Sequence, residues 1–229
     1  MLYPVGEDIW TGDGPTVFVA GFGYPTRMVV IRLSGGGLFI WSPIGLSDEL
    51  RTTLDRLGPV RHVVAPNALH HLFIGEWRAV YPAATVHGLP ELRASKPGLL
   101  LDSELGDDPE PNWSHDIDQV VVRGNRITSE VVFFHRRSRT VIFADLIQHF
   151  ERGWFKGWRG WVARMDRLTA PEPAVPMKFR LAFTDRDIAR LAIRQIMAWP
   201  IENIVMAHGQ TVERGGRVVV ARAFRWLLR

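Results

Sequence analysis

The sequence contains no cysteine, only three lysines and no long apolar run. The absence of cysteine excludes disulfides, thiolate metal ligands and a cysteine nucleophile, so any metal ion must be held by histidine and carboxylate side chains. No segment approaches the ~18 consecutive apolar residues that span a bilayer. The amino terminus has neither the basic nor the apolar region of a secretory signal peptide. We therefore expect a cytoplasmic protein with no membrane span.

The basic residues are almost all arginines, and they give a formal net charge of +4. Because the arginines are scattered along the chain, they indicate a general surface property and do not favour a nucleic-acid partner. Apolar residues make up 46% of the 229 residues and charged residues 23%, which is ordinary for a globular protein with a sizeable core. No low-complexity linker divides the sequence. We expect a single domain over residues 1–229.

Short segments rich in Val, Ile and Phe, bounded by Gly, Pro or Ser, predict strands. They are 16–20, 28–33, 37–42, 60–65, 118–124, 130–135 and 140–146. Only a glycine-rich turn beginning at Ser34 separates the second segment from the third, which predicts a hairpin.

Three segments predict helices. Residues 47–58 begin at Ser47, place leucines at helical spacing and end at Gly58. Residues 184–200 begin with a capping-box pattern of Thr184 and Asp187 and end at Pro200. Residues 218–229 predict a further amphipathic helix. In the second helix the predicted apolar face comprises Ile188, Leu191, Ala192, Gln195 and Ile196.

Hairpins at the start of the chain, followed by strands mixed with helices, favour a mixed α+β or α/β sandwich. They do not favour a simple parallel, doubly wound sheet. Neither a phosphate-binding loop nor the G-x-S-x-G elbow of serine hydrolases is present.

Candidate metal ligands follow three of the predicted strands. His70 and His71 come after the strand 60–65, Asp145 comes directly after the apolar residues 140–144, and His208 follows the short apolar run 204–207. Ligands at strand ends are held on rigid elements, which favours metal binding. Each of these residues alone also fits an ordinary turn or helix cap. Their combination is what indicates a site.

This succession of elements resembles the metallo-β-lactamase superfamily from about residue 15 to residue 228. The resemblance implies a four-layer αβ/βα sandwich. In that family the motif H-x-H-x-D-H follows a strand and supplies ligands to two metal ions. A later Gly-His-Thr loop, a bridging Asp and a late His complete the two sites.

Laid on this sequence, the motif covers residues 66–71 and is degenerate. Pro66 and Ala68 occupy the two leading histidine positions, and residues 123–130, where the Gly-His-Thr loop belongs, contain no histidine. The ligands of the first metal ion are therefore all missing. The resemblance implies that those of the second remain as the set His70, His71, Asp145 and His208. The Asp-x-Gly pattern of the family is also altered, reading Trp-Ser-Pro-Ile-Gly over residues 41–45.

The resemblance implies a divergent branch of the superfamily and a metal-dependent hydrolase of a small molecule. One divalent ion, Zn, Fe or Mn, would be bound by His70, His71, Asp145 and His208, and Asp145 would also orient the attacking water. The alternative is a non-catalytic binding or assembly protein that kept the fold and lost the chemistry. The missing ligands motivate this alternative.

A tryptophan-rich segment, residues 153–164, places Trp154, Trp158 and Trp161 among basic residues. It fits a lid over the site, a membrane-interface patch or a base-stacking surface, and equally the packing of aromatic side chains against the body of the protein or against another copy of the chain. The family resemblance favours the lid. A homo-oligomer formed through Trp154 to Trp161 is kept as an alternative hypothesis.

Overall fold

A computed structural model describes all residues, 1–229, and contains eleven strands and eight helices. The strands are β1 (Tyr3–Gly6), β2 (Ile9–Val19), β3 (Phe22–Arg32), β4 (Leu38–Trp41), β5 (Val60–Val64), β6 (Thr85–Gly88), β7 (Ser103–Glu104), β8 (Ile117–Val122), β9 (Glu130–His135), β10 (Thr140–Phe143) and β11 (Asn203–Met206). The helices are α1 (Asp48–Leu57), α2 (Ile74–Val80), α3 (Pro90–Ser95), α4 (Trp158–Met165), α5 (Met177–Ala182), α6 (Arg186–Ala198), α7 (Gly216–Ala223) and α8 (Arg225–Leu228).

The strands form two sheets. A seven-stranded sheet has the order β1-β2-β3-β4-β5-β6-β7, antiparallel as far as β4 and parallel from there to β7. A four-stranded sheet has the order β11-β10-β9-β8, in which β10 and β11 are parallel and the other pairs antiparallel. The hairpin predicted around Ser34 is the β3–β4 pair.

Three apolar clusters show that the sheets lie between helices. The central cluster draws side chains from both sheets, including Phe39, Trp41 and Phe133. A second cluster packs the four-stranded sheet against α6, α7 and α8. A third packs the seven-stranded sheet against α1, α2 and α3. The layers therefore run helix, sheet, sheet, helix, which confirms the predicted four-layer sandwich.

Helix α1 follows the sequence prediction closely, since the Ser47 side chain accepts the N–H of Leu50 as an N-cap. Helix α6 departs from it at its beginning. There the Asp185 side chain accepts the N–H of Ile188, so Asp185 is the N-cap in place of Thr184.

The buried face of α6 is rotated from the predicted one. Ala189, Ala192, Ile193 and Ile196 are buried, whereas Ile188, Leu191 and Gln195 are exposed. The buried side consists of two alanines and two isoleucines that pack with Val120 and Val122 of β8, whereas the predicted face includes the polar Gln195. The predicted C-terminal helix is broken at Phe224 into α7 and α8.

None of the helices combines the length and apolar character that crossing a membrane requires.

Candidate metal centre

Asp145 and His208 meet because their strands are parallel neighbours. In the β10–β11 pair, Phe143 lies opposite Met206, and each strand is followed two residues later by a candidate ligand. The carboxyl ends of parallel strands share one edge of the sheet. The distance from His208 Nε2 to Asp145 Oδ1 is 3.4 Å.

His70 reaches the same point from the irregular loop after β5. The Asn67 side-chain oxygen accepts the N–H groups of Leu69 and His70, at 2.9 and 3.1 Å, and so folds the chain into an Asx turn. This turn brings His70 Nε2 to 3.2 Å from Asp145 Oδ2. His70, Asp145 and His208 thus form one cluster, in which the ligand atoms all lie within 4.8 Å of one another.

Both imidazoles are oriented through their other ring nitrogen. His208 Nδ1 lies 2.8 Å from the carbonyl oxygen of Pro25 and must donate to it, because a carbonyl only accepts. His70 Nδ1 is hydrogen-bonded with Ser42 Oγ at 2.8 Å. The two Nε2 atoms are therefore the ones that face the carboxylate. Such an outer hydrogen bond is typical of metal-binding histidines.

The Asp145 carboxylate is buried and has polar partners on both oxygens. Asn67 donates to Oδ2 at 2.8 Å, and Gln148 donates to Oδ1 at 3.1 Å. Burial acts to raise the pKa of Asp145, but the charges and hydrogen bonds of His70 and His208 outweigh it and hold that pKa well below its usual range. An ionised carboxylate is the form that binds a metal ion.

A second buried carboxylate, Glu130, shapes the turn that carries Asp145. It accepts the backbone N–H groups of Ala144, Asp145 and Leu146 at 2.8, 2.7 and 3.1 Å. Burial, followed by the neighbouring charge of Asp145, raises the pKa of Glu130 to about 8. Glu130 acts through backbone amides and holds the Asp145 turn in place.

His71, the fourth ligand predicted from the sequence, is not part of the three-residue cluster. Its Nδ1 donates to the carbonyl oxygen of Ala68 at 2.9 Å, and its side chain lines the cavity beside the cluster. His149, four residues after Asp145, is also outside the cluster. The backbone of His149 supports the His208 loop, because its N–H donates to the His208 carbonyl at 3.1 Å.

The cluster opens into a cavity of about 450 Å³. Its walls are mainly apolar, and Lys178 is the cation among the lining residues. The Lys178 ammonium donates to the Tyr24 hydroxyl at 2.9 Å. No residue of the tryptophan-rich segment 153–164 lines this cavity, so the segment does not form the wall that a lid would.

The spacing of the ligand atoms fits a metal ion. Zinc is bound tetrahedrally at about 2.0–2.1 Å from nitrogen and oxygen, which puts neighbouring ligand atoms about 3.3 Å apart. His70 Nε2 lies 3.2 Å from Oδ2 of Asp145 and His208 Nε2 lies 3.4 Å from Oδ1, so each imidazole has about this spacing with a different carboxylate oxygen. Two imidazoles and a carboxylate also suit iron or manganese, so the donor set does not select one metal.

Several supporting residues were not predicted from the sequence. They are Ser42, Asn67, Glu130 and Gln148, together with Arg27, which donates to the carbonyl oxygens of Met206 and Gly209. Ser42 lies inside the altered pattern 41–45, and Asn67 lies between the lost histidine positions. A polar residue at a motif position is the signal that could have identified these two residues. Glu130 gave none, because it begins an otherwise apolar strand.

Solved structures of similar fold cover almost the whole chain. A metallo-β-lactamase from Pontibacter korlensis is 12% identical, with 99% of this chain and 98% of that chain covered and a TM-score of 0.66. The metallo-β-lactamase FIM-1 from Pseudomonas aeruginosa, in its mono-zinc form, is 14% identical over 100% of this chain and 96% of that chain, with a TM-score of 0.64. The metal-soaked Flv1 flavodiiron core from Synechocystis sp. PCC6803 is 16% identical over 100% of this chain and 60% of that chain, with a TM-score of 0.65.

At these identities the likeness establishes the fold alone, and it confirms the predicted metallo-β-lactamase fold. No curated protein sequence matches the chain significantly. A family described as "Domain of unknown function (DUF4336)" matches residues 7–155. The chain belongs to this family, as a divergent branch of the metallo-β-lactamase fold.

Proposed function

We propose that His70, Asp145 and His208 bind one divalent metal ion, and that the chain is a metal-dependent hydrolase of a small molecule. One observation carries the proposal. The hydrogen bond of His208 Nδ1 to Pro25 leaves Nε2 facing Asp145, so that two imidazole nitrogens and a carboxylate converge with their ligand atoms within 4.8 Å of one another. Two imidazoles and a carboxylate are a donor set that divalent metal ions prefer.

When bound, such an ion supplies Lewis acidity and lowers the pKa of a coordinated water toward neutrality. The residues of the chain supply the rest. Ser42 and Pro25 keep the two imidazoles in place, and Glu130 keeps the Asp145 turn in place. These contacts preorganise the centre, so that little ordering is left to be done when a substrate binds.

The residues that line the cavity support a substrate that carries an apolar group. The apolar walls of the cavity, which include Val17, Phe73 and Phe179, exclude water and favour an apolar group. The Lys178 ammonium would bind an anionic or carbonyl oxygen of the same molecule. Asp145 remains our proposal for the group that orients the attacking water.

The experiment is a metal titration of protein purified without chelators and then stripped of metal. The wild type should bind about one equivalent of Zn²⁺ in calorimetry. The absorption bands of Co²⁺ would report the ligand field independently of any activity. His70→Ala and His208→Ala should each weaken binding by at least about tenfold.

His71→Ala is the matched control, because His71 lines the same cavity but lies outside the cluster. It should bind metal like the wild type. If it loses the metal as completely as His70→Ala, the four-ligand set predicted from the sequence replaces the three-ligand set. If the wild type binds no metal ion at all, the hydrolase proposal fails.

A second candidate is a non-catalytic binding protein. The observation in its favour is that both Asp145 oxygens already accept amide hydrogen bonds, from Asn67 and Gln148. Two protonated imidazoles would then complete a metal-free ion cluster. Nitrogen NMR of the metal-free and metal-treated protein separates the candidates, because imidazolium signals unchanged by Zn²⁺ would support the second one.

A further inference from the structure

Helix α4 turns its apolar side away from the protein. Trp158, Trp161 and Met165 are each at least 60% exposed, and Val162 is exposed beside them. At about 100° per residue these four positions fall within an arc of about 100°. Ala163, the one buried residue of α4, lies on the opposite side. An amphipathic helix normally buries this stripe, so the exposed stripe is available to a partner.

The tip of the β2–β3 hairpin adds further apolar surface next to α4. Phe18 is 76% exposed, and Val19 next to it is exposed as well. The hairpin is fixed against the helix because the Phe22 ring meets the Trp158 ring edge-on, with centroids 5.8 Å apart. We call the exposed apolar residues of the tip and the helix that lie outside the metal-centre cavity the outward patch; they are Phe18, Trp158, Trp161, Val162 and Met165. Val19 lines that cavity and is not part of the patch.

Basic side chains surround the outward patch. They are Arg152, Lys156, Arg159, Arg164 and Arg167, and none of them forms a salt bridge within the chain. Arg159 lies over the Trp158 ring at 4.9 Å. Arg152, Arg164 and Arg167, together with Trp161, line a cavity of about 950 Å³ beside α4. This surface therefore combines exposed apolar groups with uncompensated positive charge.

The nearby carboxylates do not neutralise this charge. Glu151 accepts a hydrogen bond from Gln210 at 2.7 Å. Asp166 accepts the backbone N–H of Lys178 at 2.7 Å and lies 3.7 Å from the Lys178 ammonium. Asp166 is paired with Lys178, and Glu151 keeps its negative charge beside Gln210. Five basic side chains against these two carboxylates leave the segment with a net positive charge.

We propose that the outward patch binds the surface of an anionic lipid bilayer. The tryptophans, Phe18 and Met165 would enter the boundary between headgroups and acyl chains, and the arginines would contact lipid phosphates. Exposed Trp beside Arg is the composition that such an interface favours. This binding is peripheral and needs no spanning helix, and it does not depend on the proposed metal.

The same charges disfavour the other occupants of this surface. A second copy of the chain, docked symmetrically, would bring the unpaired arginines of both copies together without acidic partners. A single-stranded nucleic acid needs flat rings on which bases stack. Trp158 and Trp161 offer such rings, but Val162 and Met165 on the same stripe do not, whereas all four contribute to burial in lipid.

The test is cosedimentation with vesicles of phosphatidylcholine alone and of phosphatidylcholine with about one third phosphatidylglycerol. We expect binding to the anionic vesicles only, a fall in binding with salt, and quenching of tryptophan fluorescence by brominated acyl chains. The double variant Trp158→Ser, Trp161→Ser should lower the partition coefficient by about tenfold or more. Replacing Arg159 and Arg164 by glutamine should lower it by about fivefold per arginine.

The matched control is Leu100→Ser with Leu191→Ser, which removes two leucines that are as exposed as the tryptophans but lie outside the patch. This control should bind vesicles like the wild type, and unfolding curves would verify that all variants fold. An equal loss in the control, or a wild type that stays in the supernatant at low salt, overturns the proposal.

Two further outcomes would assign the surface to another partner and also overturn it. One is a dimer in sedimentation velocity that Trp158→Ser dissociates, without any vesicle binding. The other is a labelled single-stranded oligonucleotide that binds more tightly than the vesicles and is lost with the arginines but not with the tryptophans.

Discussion

The buried Glu130 carboxylate offers the sharpest test of how the fold prepares its metal centre. In the variant Glu130→Ala, the N–H groups of Ala144, Asp145 and Leu146 lose their acceptor. Each buried unsatisfied donor costs about 1–3 kcal/mol. The nominal loss is then about 3–9 kcal/mol, and water entering the space left by the side chain would bring the measured loss toward the lower end.

Glu130→Gln separates the hydrogen bonds from the side-chain volume. Glu130 Oε2 accepts from Asp145 and Leu146, and Oε1 accepts from Ala144 alone. A glutamine with its oxygen at the Oε2 position keeps two of the three bonds and turns its amide nitrogen toward the Ala144 N–H. We expect a loss of about 1–3 kcal/mol in the free energy of unfolding, clearly smaller than for the alanine variant.

The assay is chemical unfolding at pH 7, followed by circular dichroism, with the free energy of unfolding extrapolated to water. The exposed Glu213 supplies the control, since Glu213→Gln should change that free energy by no more than about 0.5 kcal/mol. A loss below about 1 kcal/mol for Glu130→Ala would refute the reasoning. It would mean that the three amides find other acceptors at little cost.

Two further predictions concern pH and the His208 loop. Burial lowers the pKa of His87 and of His135 to about 4, below the unfolded value of 6.5. Stability from these residues is therefore complete above pH 6.5 and is lost as the pH falls toward 4, by at most about 3 kcal/mol for each residue. The raised pKa of Glu130 acts in the opposite direction over the same range, so the test uses the Glu130→Gln variant, in which equal unfolding midpoints at pH 7.5 and pH 4.5 would contradict this prediction. Gly209→Ala should strongly weaken metal binding as well as stability, because Gly209 has φ +126 and an added Cβ would lie 2.1 Å from the His149 carbonyl oxygen. Calorimetric Zn²⁺ affinity and the thermal midpoint measure both effects, and unchanged values of both would show that the loop relaxes freely.

Much of the fold could be read from local patterns. The segments at 28–33, 37–42, 130–135 and 140–146 became strands because their apolar runs lie between turn residues. Asp145 and His208 were found for the same reason, since each follows such a strand by two residues. Whether two strand ends meet depends on which strands are neighbours, and the β10–β11 pairing satisfied this condition.

Sequence patterns did not discriminate where two arrangements were equally compatible with the local sequence. Helix α6 carries apolar residues on two adjacent sides, and its packing against β8 exposed Leu191 while burying Ala189. In the loop after β5, no periodicity distinguishes His70 from its neighbour His71. The Asn67 turn, a contact made only in the folded loop, directed His70 to Asp145.

The sequence by itself determined where most of the strands lie along the chain, the chemical type of the candidate ligands and the absence of histidine at Pro66 and Ala68. These properties belong to single residues and their immediate neighbours. Only the tertiary structure decided which imidazoles converge on Asp145 and which side of α4 faces solvent. The reason is that both depend on packing between elements far apart in the chain, where a rotation of one residue position exchanges a buried side chain for an exposed one.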